Sequence, residues 1–520
     1  VRTRVGTIDG NNTLSYNLAD TYSRMVSSLA VTQGAVNVRI TNDVSVAQAN
    51  NAASLDAAVN FGATSAQLNM NIRDTANAVA AGLAAASRGI AAAESVSLST
   101  AATVAQAARL SEVELVGGYA ISDTATEVAA AINRANGVNV RDRETILGAT
   151  SITLTSAATV AEALGDRATE ARGLYTIPGL NFAISDTAAA IIAGLDSLPD
   201  GVGIENAFTV GLSTNAGITV QQADRLTVLG NFVGHDGSGA FNIADTFGLV
   251  QGANTQLLAD ALDVRANGTS SAEVIDMSGI GRSVYVNGNG GADTMFGTDF
   301  ADIMDGGTQA DVMTGGNGRD AFVVAADGID DAGVQGDERF TDSSTLAFDR
   351  IVDFTLATAS WTRSAANDTV AEFQALAIGG AGADILDINL AGVTLTIEAN
   401  AASSVSTTGS TLAASVKAGL AGAASGDITV AVNNGIMTIS STVAEDFNTL
   451  GELVAAAQLI AATNGETLAF EFDNSTYVFT QNGEHDVLVQ LAAVTGVNGL
   501  GLVTGADGSS AGGENWVVIG

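Results

Sequence analysis

Residues 286–323 read VNGNGGADTMFGTDFADIMDGGTQADVMTGGNGRDAFV, and a period of nine runs through them without a gap. The units begin at Gly288, Gly297, Gly306 and Gly315. Each unit has Gly at its first position, Asp at its sixth and a large apolar residue at its eighth. The aspartates are Asp293, Asp302, Asp311 and Asp320, and the apolar residues are Met295, Met304, Met313 and Phe322. Such regular spacing predicts a repeated local structure.

The spacing predicts a six-residue turn followed by a three-residue strand in each unit. Gly, Asp and Asn reach the backbone conformations that tight turns need. Two units would complete one coil, so that each unit stacks on the unit two places further along. Asp293 would then lie over Asp311, and Asp302 over Asp320, about 5 Å apart. Carboxylates that close repel each other unless a cation lies between them, and calcium, which takes six to eight oxygen ligands, suits that position.

These units resemble the calcium-binding nonapeptide G-G-x-G-x-D-x-U-x of the RTX family of secreted bacterial proteins. The resemblance implies a parallel β-roll that binds Ca²⁺ through carboxylates and turn oxygens. Besides the four aspartates, the implied ligand set is Gly288, Asn289, Gly291, Gly297, Asp299, Gly306, Thr308, Gly315, Asn317 and Gly318. Thr298, Phe300 and Gln309 replace glycines of the motif, and weaker binding is expected in those turns.

The composition is strongly acidic and free of cysteine. Asp and Glu number 56 against 20 Lys and Arg, which gives a formal net charge of -36. Such a surface disfavours nucleic acid, whose phosphates need basic residues, and favours cations. Without cysteine there is no disulfide and no thiolate metal site, which suits an exported bacterial protein held together by calcium. No stretch approaches the roughly 18 apolar residues of a membrane span, and no signal-peptide pattern is visible at Val1.

Residues 1–275 carry a longer repeat, which predicts a β/α solenoid. An Asp-Thr pair opens an Ala-rich helical pattern at five places, and a second motif such as Thr103-Val104-Ala105-Gln106-Ala107 alternates with it. The aspartates of the pairs are Asp20, Asp74, Asp123, Asp186 and Asp245. A strand and a helix repeated about every 28 residues must stack on their neighbours, although a pair of ordinary α/β domains is the alternative. The recurrence of Asp-Thr favours helix capping over catalysis, and the repeats resemble those of very large secreted RTX proteins.

The segment 276–356 is expected to hold the roll and its closing strands. Residues 278–286 are in phase with the nonapeptides but lack the Asp. Residues 349–354 and 383–388 resemble the D-x-I-x-D-F and D-x-L-D-L runs that close the RTX roll in secreted proteases and S-layer proteins. The acidic loop that precedes both runs, from Asp327 to Asp342, is either a further calcium site or a solvated loop.

Residues 357–520 predict a β-rich C-terminal domain, because apolar and polar residues alternate along them. Asn433-Asn434-Gly435 indicates a hairpin, and a helix is expected at about 444–463. The last hairpin and the apolar tail resemble the final strands and the uncleaved export signal of type I-secreted proteins. The fold class is therefore predicted to be mostly β with α/β repeats.

The residues of a familiar active site are missing from the sequence. The two histidines, His235 and His485, are far apart, and both are expected in solvated turns. The zinc-protease motif H-E-x-x-H and the phosphate loop do not occur, and no G-x-S-x-G elbow stands at a strand–helix junction. Carboxylate-only chemistry, as in glycosidases, stays an alternative. We therefore expect a protein that is not an enzyme.

These features predict a calcium-dependent structural protein outside the bacterial cell, at its surface. The type I secretion machinery would export it, and copies of it would assemble into a surface layer or filament. Outer-membrane polysaccharide is a further candidate partner, whereas nucleic acid is not expected. The alternative is a monomeric RTX adhesin or ligand-binding solenoid, and a carboxylate-based hydrolase is less favoured.

Overall fold

The computed structural model describes residues 5–8, 14–28, 35–59, 68–133, 140–165, 173–197, 202–325, 348–357, 383–389, 395–398, 400–406, 427–441, 450–461, 463–482, 486–504 and 515–520. These ranges form a mixed α/β protein with many parallel strands, several of them in large sheets. The chain divides into two compact units. The first comprises Val1–Thr214 and Val228–Gly239, and the second comprises Asn215–Thr227 and Ala240–Gly520.

In the first unit, short strands alternate with short helices. The strands are β1 (Val5–Ile8), β2 (Leu14–Asp20), β3 (Ala35–Ile40), β4 (Leu68–Asn69), β5 (Asn71–Asp74), β6 (Ser95–Leu98), β7 (Ala120–Asp123), β8 (Ser151–Leu154), β9 (Ala183–Asp186) and β10 (Thr209–Leu212). The helices are Tyr22–Ser27, Val46–Val59, Ala76–Ala84, Arg88–Ala91, Val104–Leu110, Ala125–Asn133, Val140–Leu147, Val160–Leu164, Ala188–Ser197 and Val202–Glu205, with a 3-10 turn at Leu174–Thr176.

The pairing in this unit is mostly parallel. Strand β1 is antiparallel to β2, whereas β2–β3, β3–β4, β5–β6, β7–β8 and β9–β10 are parallel pairs. Ile72, Ile121 and Ile184 occupy equivalent places in β5, β7 and β9 and are at most 1 % exposed. Parallel strands need a crossover connection, and the short helices supply it while covering this apolar row.

The Asp-Thr pairs cap helices, which confirms the prediction made for them. Asp186 Oδ1 accepts the N–H of Thr187 at 2.8 Å, and its Oδ2 accepts the N–H of Val160 at 2.9 Å. Val160 begins a neighbouring helix, whose first N–H groups have no partner within the helix. The same two bonds recur at Asp74, Asp123 and Asp245. One carboxylate therefore connects two successive repeats.

The second unit contains most of the strands. They are β11 (Asn242–Thr246), β12 (Asp263–Asn267), β13 (Val274–Asp276), β14 (Tyr285–Asn287), β15 (Thr294–Phe296), β16 (Ile303–Asp305), β17 (Val312–Thr314), β18 (Ala321–Ala325), β19 (Asp349–Ile351), β20 (Ile385–Asn389), β21 (Thr396–Ile397), β22 (Asn400–Ser406), β23 (Asp427–Asn433), β24 (Ile436–Ser441), β25 (Glu466–Phe472), β26 (Ser475–Thr480), β27 (Val487–Leu491), β28 (Leu500–Thr504) and β29 (Asn515–Ile519). Its helices are Val220–Thr227, Phe247–Gln251, Thr255–Asp260 and Leu450–Ile460, the last within the predicted range 444–463.

Two sheets organise this unit. One runs in the order β11-β12-β14-β16-β18-β20-β29-β28, and the other in the order β13-β15-β17-β19-β27-β26-β25-β24-β23-β22, with β21 beside β25. From β13 to β18, successive strands of the chain alternate between the two sheets. Hydrogen bonding is continuous from the last α/β repeat into the nonapeptides, because β12 pairs in parallel with β14.

Arg282 fixes the junction between the last helical repeat and the nonapeptides. Its guanidinium donates to the backbone oxygens of Leu258 (2.5 Å), Ala261 (2.6 Å) and Leu262 (2.9 Å). These carbonyls follow or end the helix Thr255–Asp260 and would otherwise lack donors. One half-buried guanidinium therefore holds the end of that helix against the chain that enters β14.

Strands from the C-terminal part of the chain extend both sheets. Strand β27 is parallel to β19, and β29 is antiparallel to β20. The helix Leu450–Ile460 packs against strands β25 and β27 through an apolar cluster that includes Val454, Phe470 and Leu488. No helix in the described ranges is long and apolar enough to cross a bilayer.

Candidate metal centre

The nonapeptide strands pair with a shift of 18 residues. Met295 is opposite Met313, and Met304 is opposite Phe322, each in a parallel pair. All four side chains are fully buried, as expected for the single inward-facing position of a three-residue strand. The six-residue turns therefore stack along two edges, with turns 288–293 and 306–311 on one edge and turns 297–302 and 315–320 on the other.

Each motif aspartate uses one carboxylate oxygen to accept a backbone N–H of the previous coil, 18 residues earlier for Asp302, Asp311 and Asp320. The N–H of Asp293 donates to Asp311 Oδ1 at 2.7 Å, and the N–H of Asp302 donates to Asp320 Oδ1 at 2.8 Å. The four side chains are at most 1 % exposed. The predicted stacking of Asp293 with Asp311 and of Asp302 with Asp320 is therefore present, and it positions four buried carboxylates in two columns.

The second carboxylate oxygen is left without a partner in two turns. Asp293 Oδ2 and Asp311 Oδ2 are buried and accept no hydrogen bond. A Cβ built on Gly288 would lie 2.6 Å from the former, and one on Gly306 would lie 2.4 Å from the latter. These oxygens therefore point into their own turns, and the first position must be Gly because the carboxylate fills the space of a side chain.

Burial raises the pKa of the motif aspartates above the usual value of 3.8. The pKa rises to about 7 for Asp302, about 8 for Asp311 and about 9 for Asp320, and it is also raised for Asp293. Loss of hydration is the largest cause in each case, and at Asp311 the nearby carboxylates of Asp349 and Asp293 add to it. The folded turns therefore favour either a proton or another cation at each carboxylate.

Left-handed backbone supports most of these turns. Positive φ occurs at the second position in Asn289 (66°), Gly307 (88°) and Gly316 (99°), and at the fourth position in Gly291 (102°), Gln309 (78°) and Gly318 (129°). Gly and Asn adopt this conformation readily, whereas Gln does so with strain. The departure at Gln309 therefore changes the residue but keeps the shape of the turn.

Turn 297–302 differs from the others. The N–H of Thr298 donates to Asp302 Oδ2 at 2.5 Å, and the Thr298 hydroxyl donates to Asp302 Oδ1 at 3.0 Å. The same hydroxyl accepts the N–H of Phe300 at 3.0 Å. Both oxygens of Asp302 thus have donors from within the turn, so the departure at Thr298 alters the chemistry of the site.

The remaining candidate ligands that have side chains, among them Asp299, Thr308 and Asn317, are exposed. Asn317 Nδ2 donates to Asp299 Oδ1 at 2.8 Å, and this pair is exposed. The N–H of Thr308 donates to the carbonyl of Asn289 at 3.1 Å, which joins the two turns of one edge. Gly297 packs closely enough that a Cβ would lie 2.3 Å from the carbonyl of Gly315. The predicted third-position side chains are therefore paired with each other rather than with the motif aspartates.

Three further aspartates join the columns, and the sequence did not place them. Asp349 Oδ1 accepts the N–H of Asp311 at 2.9 Å, and Asp384 Oδ1 accepts the N–H of Asp320 at 2.8 Å. Asp353 accepts the N–H groups of Gly315 and Gly316 at 2.9 and 2.8 Å. The signal for them was the resemblance of residues 349–354 and 383–388 to closing runs, which gave their presence but not their register.

A fifth turn precedes the recognised repeat. In residues 268–273, Glu273 takes the place of the motif aspartate, and its N–H donates to Asp293 Oδ1 at 2.7 Å. Gly268 stands at the first position, and β13 pairs with β15. Two extra residues, Met277 and Ser278, break the nine-residue phase before the next unit. A search that allowed Glu and a two-residue insertion would have found this turn.

The other candidate groups do not converge on a site. His235 is exposed and its Nδ1 lies 3.0 Å from the carbonyl of Leu212, whereas His485 and the acidic loop from Asp327 to Asp342 lie outside the described residues. Within the described ranges, no three His, Cys, Asp or Glu side chains form a ready metal-binding group. Any ion between the stacked carboxylates would therefore take its other oxygens from turn carbonyls.

Comparison with known proteins adds no family to this description. A scan against protein-family models finds no match to the chain, and a search of the curated proteins finds none either. The functional interpretation of the turns therefore rests on their own geometry and on the resemblance of the nine-residue motif.

Proposed function

We propose that the nonapeptide segment is a calcium-binding β-roll within an extracellular structural protein. The observation that carries this proposal is the pair of buried, unpartnered oxygens Asp293 Oδ2 and Asp311 Oδ2 in turns that lie 18 residues apart on one edge. A buried carboxylate oxygen without a donor is costly. A divalent cation compensates such an oxygen, and calcium accepts the irregular oxygen cage that Gly-rich turns provide.

The proposed architecture is a β/α solenoid that passes into this roll. Its support is the repeated Asp cap between neighbouring helices and the parallel pairing of β12 with β14. The C-terminal strands β27 and β29 continue the two sheets of the roll beyond β19 and β20. Within the second unit, the roll is therefore paired with an α/β repeat through β12 and with C-terminal strands through β27 and β29, and its folding affects both.

Calcium would act by favouring the folded state over the unfolded chain. The unfolded segment has well-hydrated, separated carboxylates and no preformed site. An ion that binds only the folded form shifts the equilibrium by mass action. Low calcium inside the cell would keep the segment unfolded for type I export, and millimolar calcium outside would fold it. The stacked pairs of carboxylates make the dependence of folding on calcium strong.

The proposed role is assembly of copies into a surface layer or filament. Its support is the repeated structure, the net charge of -36 and the apolar side chains left on one sheet face. Val274 is 65 % exposed and Phe296 is 37 % exposed on the adjacent strands β13 and β15. Val274 is opposite Thr294 and Phe296 is opposite Asp276, so the two apolar side chains lie diagonally on this face and offer contact positions for another copy. Outer-membrane polysaccharide remains a proposed anchor.

Electron microscopy of the purified chain tests this role. We expect ordered sheets or filaments in millimolar calcium and dispersed particles after a chelator is added, since the apolar face is built on strands of the roll. Magnesium at the same concentration is the control and should not restore the assembly, because it demands a stricter octahedral cage. Single particles in both calcium and chelator would contradict assembly and favour the monomeric adhesin.

A further inference from the structure

Four of the five stacked turns fall into two chemical classes; in the fifth, turn 315–320, the N–H groups of Gly315 and Gly316 donate to Asp353. Turns 268–273 and 297–302 are called closed turns here, because donors within the turn satisfy the acid at the sixth position. Turns 288–293 and 306–311 are called open turns, because one oxygen of that acid has no donor. The sixth position is acidic in all four turns, so the acid alone does not decide the class.

Both closed turns have Thr at the second position and share a hydrogen-bond pattern. The N–H of Thr298 donates to Asp302 Oδ2 at 2.5 Å, and the N–H of Thr269 donates to Glu273 Oε2 at 2.6 Å. In each turn the Thr hydroxyl accepts the N–H two residues later, at 3.0 Å from Phe300 and 3.3 Å from Ser271. Because the same hydrogen bonds occur in two separate turns, they define a turn type.

Both open turns have a left-handed residue at the second position. Asn289 has φ of 66° and Gly307 has φ of 88°, whereas neither Thr269 nor Thr298 has positive φ. The N–H of Asn289 donates to Asn287 Oδ1 at 2.7 Å instead of to the acid of its own turn. The oxygens left without donors are those of Asp293 and Asp311, both about 1 % exposed.

The backbone conformation at the second position explains the difference. Rotation into the left-handed region turns the N–H of that residue away from the carboxylate. A β-branched residue such as Thr resists that region, so its N–H stays directed at the acid, and in turn 297–302 the Thr298 hydroxyl adds a second donor. A closed turn thus contains its own substitute for a cation, whereas an open turn lacks one.

We propose that the second residue of each turn determines whether the turn binds calcium, so that the open turns bind it and the closed turns fold without it. This inference rests on the proposed calcium-binding function and adds which of the turns bind the ion. The fold then contains two calcium-independent turns, at 268–273 and 297–302. They lie before and between the calcium-dependent turns, where they can keep part of the stack in register while calcium is low.

Measuring calcium binding by matched variants of the full chain tests which turns bind the ion. Equilibrium dialysis with metal analysis would compare Asp311→Asn, in an open turn, with Asp302→Asn, in a closed turn. We expect Asp311→Asn to weaken calcium binding by about tenfold or more and Asp302→Asn to leave the number of bound ions unchanged. Equal loss in both variants would overturn the inference while leaving the calcium function intact.

A second variant keeps the test decisive if Asp302→Asn fails to fold. Thr298→Gly combined with Phe300→Gly gives turn 297–302 the glycines of an open turn and removes the hydroxyl donor. We expect this double variant to bind more calcium per chain than the parent. If the double variant binds no more calcium per chain than the parent, the proposed role of Thr298 is contradicted. Absence of calcium binding by the parent chain would instead contradict the proposed function itself.

Discussion

Calcium-free protein is expected to be more stable at pH 5 than at pH 9, opposite to the behaviour of most salt-bridged carboxylates. The reason is the raised pKa of the buried aspartates, about 7 for Asp302 and Asp384, about 8 for Asp311 and about 9 for Asp320. In the unfolded chain the pKa of an aspartate is about 3.9. Protons therefore bind more tightly to the folded state.

The sign of the pH dependence follows from linkage. Stability from these groups is fully present below pH of about 4, where both states are protonated. It is lost as the pH rises through 7 to 9, because the folded carboxylates must then ionise without hydration. Each unit of pKa difference corresponds to about 1.4 kcal/mol, so several such groups make this a large effect. Calcium should reduce the dependence by replacing the protons in the open turns.

Urea unfolding followed by circular dichroism would measure this, with a chelator present at pH 5 and at pH 9. The midpoint should be higher at pH 5, and this difference should become smaller in calcium. The net charge of -36 also falls on acidification, so a control is needed. Asp311→Asn combined with Asp320→Asn removes two titrating groups and should reduce the pH dependence. A midpoint that rises with pH in chelator would show that the carboxylates are not buried as described.

Gly306→Ala should destabilise the calcium-bound protein by about 1–3 kcal/mol, the usual cost of forcing a group into filled space. A Cβ there would lie 2.4 Å from Asp311 Oδ2 and 3.1 Å from its Cβ and Cγ. The aspartate would have to leave its turn, so calcium binding should weaken as well. Urea unfolding in calcium and a calcium titration would measure the two effects.

Gly279→Ala is the matched control for this substitution. Gly279 stands at the first position of residues 279–287, the nine residues before the first motif unit, which have no acid at the sixth position. A Cβ on Gly279 meets nothing within 4 Å. This change should be neutral or should stabilise the protein by about 0.4–1 kcal/mol through the unfolded chain. Equal effects at Gly279 and Gly306 would mean that the carboxylate does not occupy the turn.

Much of the repeat could be predicted from its spacing alone. A period of nine with one apolar residue fixed both the strand positions and the shift of 18, because a three-residue strand has only one inward position. The Asp-Thr caps were predictable for a similar reason, since a capping residue must directly precede the helix it serves. Local rules were sufficient where the sequence repeats without interruption.

The rest depended on contacts that spacing does not encode. Asp349 and Asp384 join the columns across long intervening segments, so no period could give their register. Glu273 was hidden by a two-residue insertion. The sequence marked Thr298 and Gln309 equally as departures, yet the first supplies donors to the acid whereas the second keeps a left-handed turn. Only the hydrogen bonds seen in the structure distinguish the substitution at Thr298 from the one at Gln309.

Hydrogen exchange of the backbone in residues 286–323, measured by mass spectrometry with calcium and with a chelator at pH 8, is the most direct test of calcium-coupled folding. The strands and the open turns should be strongly protected in calcium and should exchange rapidly without it, whereas the closed turn 297–302 should keep more of its protection. Peptides from the first unit, such as those spanning Ile184, provide the internal reference and should change little. Equal protection of residues 286–323 in both conditions would contradict the proposal that calcium folds this segment.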